Sequence, residues 1–269
     1  PNGKYHCFFI NDGSTDNTGL ILEKYKNEKN ITIIQNEKNS GLSSARNFGI
    51  KAGSSDFVAF LDGDMVPNKD WLMSFQSYFN EGIIAVMGDN IPPENISLTP
   101  VEKYYFGDLR GARQYNDKNK IPLQYMLFGN AMIKRQALLE CGMFDEKIKK
   151  YGGEDTDLAV RIWDRYPESF IFSKKSDTVH YQRRNLKDFC YSMEIYGENN
   201  LPLLAKRYPH HKAKFAVDWI FSIKGYVVFN FIVRKLISLI IKIYPSELFI
   251  RYLVAASVIR GARRSNKFI

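Results

Sequence analysis

Five unbroken apolar residues, Phe57–Leu61, run into two carboxylates separated by glycine, Asp62-Gly63-Asp64. Two acids that close repel one another unless a cation sits between them. Mg²⁺ characteristically takes one or two carboxylates together with phosphate oxygens. The pair reads as a seat for a metal-bound diphosphate or, in the simpler case, as a solvated Asp-Gly turn. Three further sets carry chemistry. Asp12, in Asn11-Asp12-Gly13-Ser14-Thr15-Asp16, could accept a hydrogen bond from a base or ribose, or simply cap a turn. Arg46, after Gly41-Leu42-Ser43-Ser44, could pair with a diphosphate or lie on the surface. In Gly152-Gly153-Glu154-Asp155 two glycines permit close approach of a substrate. One acid there could hold hydroxyls while the other takes a proton; the alternative is acidic capping of a helix start. His180 follows a short apolar stretch and reads as a third metal ligand or a satisfied core histidine.

These groups need a frame. The apolar run 57–61, bounded by a turn signal, suits a strand buried on both faces. Its carboxyl end is the edge where open α/β sheets bind ligands. Residues 5–10 and 31–34 read as further strands, with helices over 19–27 and 41–52. A helix over 70–79 and an apolar run over 83–87 continue the alternation. Strand alternating with helix predicts an α/β protein with a mostly parallel sheet and helices on both faces. Residues 91–124, with four prolines, read as long loops carrying one helix near 101–109. A strand over 125–133, a helix over 135–141 closed by Gly142, and a helix from 154 through Trp163 follow. Two short strands, 170–172 and 178–180, precede a helix over 186–208.

Charge divides the chain. The net charge is +9, yet residues 201–269 hold 13 Lys/Arg against 2 Asp/Glu, leaving 25 against 27 in front. That separates chemistry in front from an anionic surface behind. No uncharged run approaches the ~18 residues that a spanning helix needs. Residues 218–243 read as one apolar helix whose Lys224, Lys235 and Lys242, spaced by 11 and 7, share a stripe. Pro245 breaks it, and 246–264 forms a second helix. The pair reads as an amphipathic hairpin on an anionic membrane, or as helices packed on the front with a solvated basic face. Two units are expected, 1–208 and 209–269. Three scattered cysteines, Cys7, Cys141 and Cys190, fit a reduced, cytoplasmic protein peripheral to the membrane. No nucleic-acid partner is expected.

The ordered set Asn11–Asp16, Gly41–Asn47, Asp62-Gly63-Asp64 and Gly153-Glu154-Asp155 resembles family 2 glycosyltransferases of the GT-A fold, over roughly residues 5 to 185. The segment Gly152–Asp155, with Phe128-Gly129-Asn130 before it, also resembles chondroitin-polymerase-like and β-1,4-galactosyltransferase-like enzymes. The resemblance implies a hexosyl- or N-acetylhexosaminyl-transferase of polysaccharide biosynthesis. Its partners would be a nucleotide-sugar donor, a glycan or lipid-linked acceptor and a divalent metal, Mn²⁺ or Mg²⁺. Carried over, Asp12, Arg46 and Asp62 bind the donor, and Asp64 and His180 hold the metal. Asp155 is the base, with Glu154 and Gly153 on the acceptor. Asp155 favours inversion, although a similar double-glycine start with Asn after Glu occurs in retaining GalNAc-transferase-like enzymes. The family's usual first strand, ending in proline about 30 residues before Asp12, has no counterpart here. A gap between strands 5–10 and 57–61, or a sheet closed over it, is the expected consequence. The rival reading is a non-catalytic nucleotide- or carbohydrate-binding relative.

Overall fold

The computed structural model describes residues 5–181 and 183–266. Strand β1 (Cys7–Asp12) pairs in parallel with β2 (Ile31–Asn36), and α1 (Thr18–Glu23) links them. Helix α2 (Leu42–Ala52) lies on β1, where Ile10 packs beside Gly49 and Phe8 beside Gly53. The second, larger sheet contains β3 (Phe57–Leu61), β4 (Met65–Pro67), β5 (Ala85–Ile91), β6 (Asn130–Lys134) and β7 (Phe170–His180), in the order β3-β6-β5-β7-β4. Around it run α3 (Trp71–Gln76), α4 (Pro100–Tyr105), α5 (Arg135–Glu140), α6 (Glu154–Arg165) and α7 (Leu186–Arg207).

The α/β architecture agrees with the alternation, but the sheet is mixed rather than mostly parallel. Only β5 and β7 run parallel; β6 opposes both β3 and β5, and β4 opposes β7. The reason is the excursion between β5 and β6. A helical crossover would carry the chain back to the sheet's opposite edge. This segment instead returns the chain to the end it left, where Asn130 Nδ2 donates to Asp89 O at 2.9 Å. β6 must therefore run backwards, and its first residue stands opposite Leu61, at the carboxyl end of β3.

Among the described residues no ladder joins β1 to β3; they belong to separate sheets, as a gap between them requires. The strands expected at 170–172 and 178–180 are one, β7, with an irregularity opposite Gly88 to Asn90. The polar stretch between them stays in the strand because Ser173 and Ser176, both buried, bond to one another at 2.9 Å. The main core lies where Phe170 and Phe172 of β7 meet Leu158 and Ile162 of α6, all fully buried.

The tail departs from a simple hairpin. The helix expected over 218–243 is split into α8 (Ile223–Val228) and α9 (Phe231–Ile243). Asn230 caps α9, its side chain accepting from Val233 N at 2.9 Å. Lys224 therefore shares no helix with Lys235 and Lys242. Helix α10 (Glu247–Arg264) is packed core. Its Gly261 and Gly197 of α7 each lie where an added Cβ would come within 2.0 Å of the other helix's carbonyl oxygen. Residues on both sides of position 208 share clusters: Ile250 with Val101, Tyr104 and Phe189, and Ile220, Ile259 and Ala262 with Leu201. Helix α9, by contrast, buries no residue fully. No described helix is long and apolar enough to cross a membrane.

Candidate active site

The site is built around Arg46. It sits on α2, with only 7% of its side chain exposed, above the ring of Phe144 at 5.2 Å. Its Nη2 donates to Asp62 Oδ1 at 3.0 Å and its Nη1 to Asp155 Oδ1 at 2.7 Å. A buried guanidinium is tolerable only when its charge is met, and its fork matches two carboxylates at once. This one cation thus joins the end of β3 to the start of α6, segments far apart in sequence.

Asp62 continues β3 by one residue, its N–H donating to Gly129 O at 2.9 Å. Gly129 leaves room for this acid, because an added Cβ would stand 2.5 Å from Asp62 Oδ2 and displace the carboxylate. Asp155 lies in the first turn of α6 and accepts from Phe128 N–H at 3.3 Å. Burial pushes its carboxyl above the ordinary range, opposed by Arg46. Burial, and then the neighbouring Asp155, push Glu154 up to about 7. Of the two, Asp155 holds its charge better, since only Asp155 touches Arg46 directly.

Gly152 and Gly153 precede α6 with φ of 75° and 97°, in the left-handed region that favours glycine. An added Cβ on Gly153 would meet Asn200 Cβ at 3.0 Å. Two residues without a signal in the sequence hold this loop. Asn200 Nδ2 donates to the carbonyls of Lys150, Tyr151 and Gly152. Tyr196, packed on Gly152, is raised to about 12 by burial and then by the charge of Glu154. Both lie within the long helix α7, where an Asn or Tyr looks like any other helix residue.

Asp64 and His180 face each other across the β4–β7 ladder, Oδ2 to Nε2 at 3.2 Å, with Met65 opposite His180 in register. Tyr105 and Phe106 flank the imidazole, which is 3% exposed, and its Nδ1 has no partner. One carboxylate oxygen and one imidazole nitrogen so placed are a donor set that Mn²⁺ accepts, so the residues fit a divalent cation. The two acids of Asp62-Gly63-Asp64 diverge: Asp62 turns to Arg46 and Asp64 to His180.

Asp12 stands apart. Its Oδ1 accepts from Asn36 Nδ2 at 2.7 Å and Ser40 Oγ at 2.6 Å, and its Oδ2 from Gly41 N at 2.8 Å. These bonds, working against partial burial, hold its pKa below the usual carboxylate value. The acid fastens the loop that leads into α2, leaving little acceptor capacity free.

The frame has counterparts. Residues 1–142 match the model of glycosyl transferase family 2. The mannosyltransferase PcManGT of Pyrobaculum calidifontis, solved with GDP-Man and Mn²⁺, superposes with a TM-score of 0.62 at 14% identity. That match covers 98% of this chain and 80% of that one, and shows the GT-A-like fold. The pre-mycofactocin glycosyltransferase of Mycobacterium tuberculosis is 27% identical over 191 residues, 70% of this chain and 40% of its own. The chondroitin synthase of Escherichia coli is 26% identical over 211 residues, 66% of this chain and 30% of its own. This chain therefore spans less than half the length of these curated relatives. The protein is an α/β protein of the GT-A class, and it belongs to glycosyl transferase family 2.

Proposed function

We propose that this domain transfers a sugar from a nucleotide-sugar donor to a hydroxyl of a glycan or lipid-linked acceptor, with inversion. The observation that carries the reading is the contact of Arg46 with both Asp62 and Asp155. It sets a donor-side acid and an acid of the acceptor side around one cation. Asp62 and Arg46 orient the donor, and Asp12 supports that side by shaping the loop before α2. Glu154 and the backbone at Gly153 receive the acceptor. Asp155 takes the proton of the attacking hydroxyl as its oxygen bonds to the anomeric carbon. The bond from that carbon to the diphosphate oxygen breaks, and its electron pair leaves with the nucleoside diphosphate. A divalent cation held by Asp64 and His180 would offset the charge on that leaving group. The match to a neighbour solved with GDP-Man and Mn²⁺ supports this donor and cofactor class.

The exposed apolar face of α9, edged by Lys235 and Lys242, supports a peripheral seat on an anionic membrane from the cytoplasmic side. A hydrolysis screen over nucleotide sugars with Mn²⁺ tests the whole reading. Turnover of one sugar class is expected. Donor binding without turnover, with acceptor present, would identify a non-catalytic relative instead.

A further inference from the structure

The far end of α6 carries a second cluster of donor groups, which sugar transfer does not use. Asp164 lies in the last turn of α6, about 14 Å along the helix axis from Asp155. Against it stands the short 3₁₀ segment Pro209–Phe215, which begins just after α7. His211 Nε2 lies 2.7 Å from Asp164 Oδ1, and His210 Nε2 lies 3.1 Å from Asp164 Oδ2. One donor atom from each of the three side chains falls within 4.8 Å of the other two. The acid is badly placed for an unmet charge. Carbonyls at a helix C-terminus disfavour a carboxylate there, and among the described residues no Lys or Arg pairs with it. Its neighbour Arg165 turns to Glu140 at 2.7 Å, and Lys214 lies over Trp163, 4.9 Å from the ring centroid.

The imidazoles converge where successive side chains of a helix normally diverge. Their ring centroids are 4.3 Å apart, with the planes tilted by 49°. Two imidazoliums so close would repel, and two neutral rings would leave the charge of the acid unmet. A dication shared by neutral rings and the carboxylate meets both conditions. Spacing and access fit as well. Donors around one tetrahedral zinc stand about 3.4 Å apart, so the 3.1 and 2.7 Å separations need widen by only about 0.3 and 0.7 Å. The side chains of Asp164 and His210 are 40% and 57% exposed, which gives an ion a way in and leaves a fourth position to water. His211, 9% exposed, fixes the set from inside. We propose that Asp164, His210 and His211 bind one Zn²⁺, at a site separate from Asp64 and His180, and that the ion pins the end of α6 to the segment after α7. Two imidazoles, a carboxylate and water are a common zinc donor set, whereas Mg²⁺ takes oxygen ligands.

The test uses the full chain carrying Asp64→Ala, so that the active-site donors do not compete, stripped of metal by a chelator. Calorimetry should show one Zn²⁺ bound per chain. Zn²⁺ should also raise the thermal midpoint, because the unfolded chain lacks the converged donors. Co²⁺ in its place should give the strong visible absorption of tetrahedral coordination. His210→Ala removes an exposed ring, so the metal-free midpoint should stay unchanged. Its Zn²⁺ affinity should fall by about 100-fold or more, since even an outer-shell partner is worth about 10–100-fold. Asp164→Asn, which keeps the shape of the side chain, should weaken Zn²⁺ to a similar extent. Mg²⁺ should not displace Zn²⁺. Absence of Zn²⁺ binding, or an affinity that both substitutions leave unchanged, overturns the site. A midpoint that Zn²⁺ does not move, in a chain that His210→Ala nonetheless destabilises, would make the cluster a plain ion pair and overturn the metal.

Discussion

One guanidinium facing several acids cannot neutralise them all, and this shapes the chemistry of single residues. Arg46 touches Asp62 and Asp155 and acts through space on Glu154. Burial, and then the neighbouring Asp155, raise the Glu154 carboxyl to about 7 from 4.5. A carboxyl with a raised folded pKa binds its proton more tightly in the folded chain than in the unfolded one. Its contribution to stability is therefore fully present below about pH 4.5 and lost as pH rises through 7. Glu154→Gln should flatten the fall in stability across that window, read from denaturation midpoints against pH; an unchanged slope would refute the shift. Asp155→Asn should lower transfer by about 10²–10⁴, the usual loss with a general base, while donor affinity stays near native. Near-native turnover would remove Asp155 from the chemistry. Asp64→Ala should abolish any gain in nucleoside diphosphate affinity on adding Mn²⁺, measured by calorimetry. A gain that survives would reject Asp64 as a ligand.

Among the elements, β6 and α10 do most to position the site. The entry to β6 sets Gly129 against Asp62, and Asn130, its first residue, bonds to β5, so this turn closes the floor of the site. Gly129→Ala should push Asp62 off Arg46 and cut donor binding with little change in secondary structure. Circular dichroism and donor titration together would show this, and unchanged affinity would mean the floor yields freely. Helix α10 crosses α7 at backbone contact through Gly197 and Gly261. Within one turn of Gly197, α7 also carries Asn200 and Tyr196, which hold the loop before Glu154. The loop before Glu154 and the tail are thus both held by one helix.

For the whole molecule, the tail has one helix inside the core and one outside it. Removing residues 246–269 should destabilise the front, because Ile250 and Ile259 fill clusters with Phe189 and Leu201. Each fully buried aliphatic side chain contributes about 1.5–3 kcal/mol. Leu239→Ser on α9 acts on a side chain 52% exposed and should cost far less stability than that truncation. Equal thermal shifts in the two variants would show that α9 is packed as deeply as α10.

Much of this was legible in the residues alone where the signal is local. The run Phe57–Leu61, bounded by Asp62-Gly63-Asp64, marks a buried strand and its end, because apolar continuity and turn chemistry act within a few positions. The left-handed Gly152 and Gly153 before two acids mark a helix start for the same reason. Tertiary structure alone decided which acid meets which cation, since Arg46 and Asp155 lie 109 residues apart. It also decided the direction of β6, set by where a long loop returns. The tail shows the limit most plainly. Helices α9 and α10 are both apolar and basic, and what separates them is the α7 backbone, which α10 meets directly at Gly197 and Gly261, whereas α9 joins the α7 cluster through the partly buried Ile241.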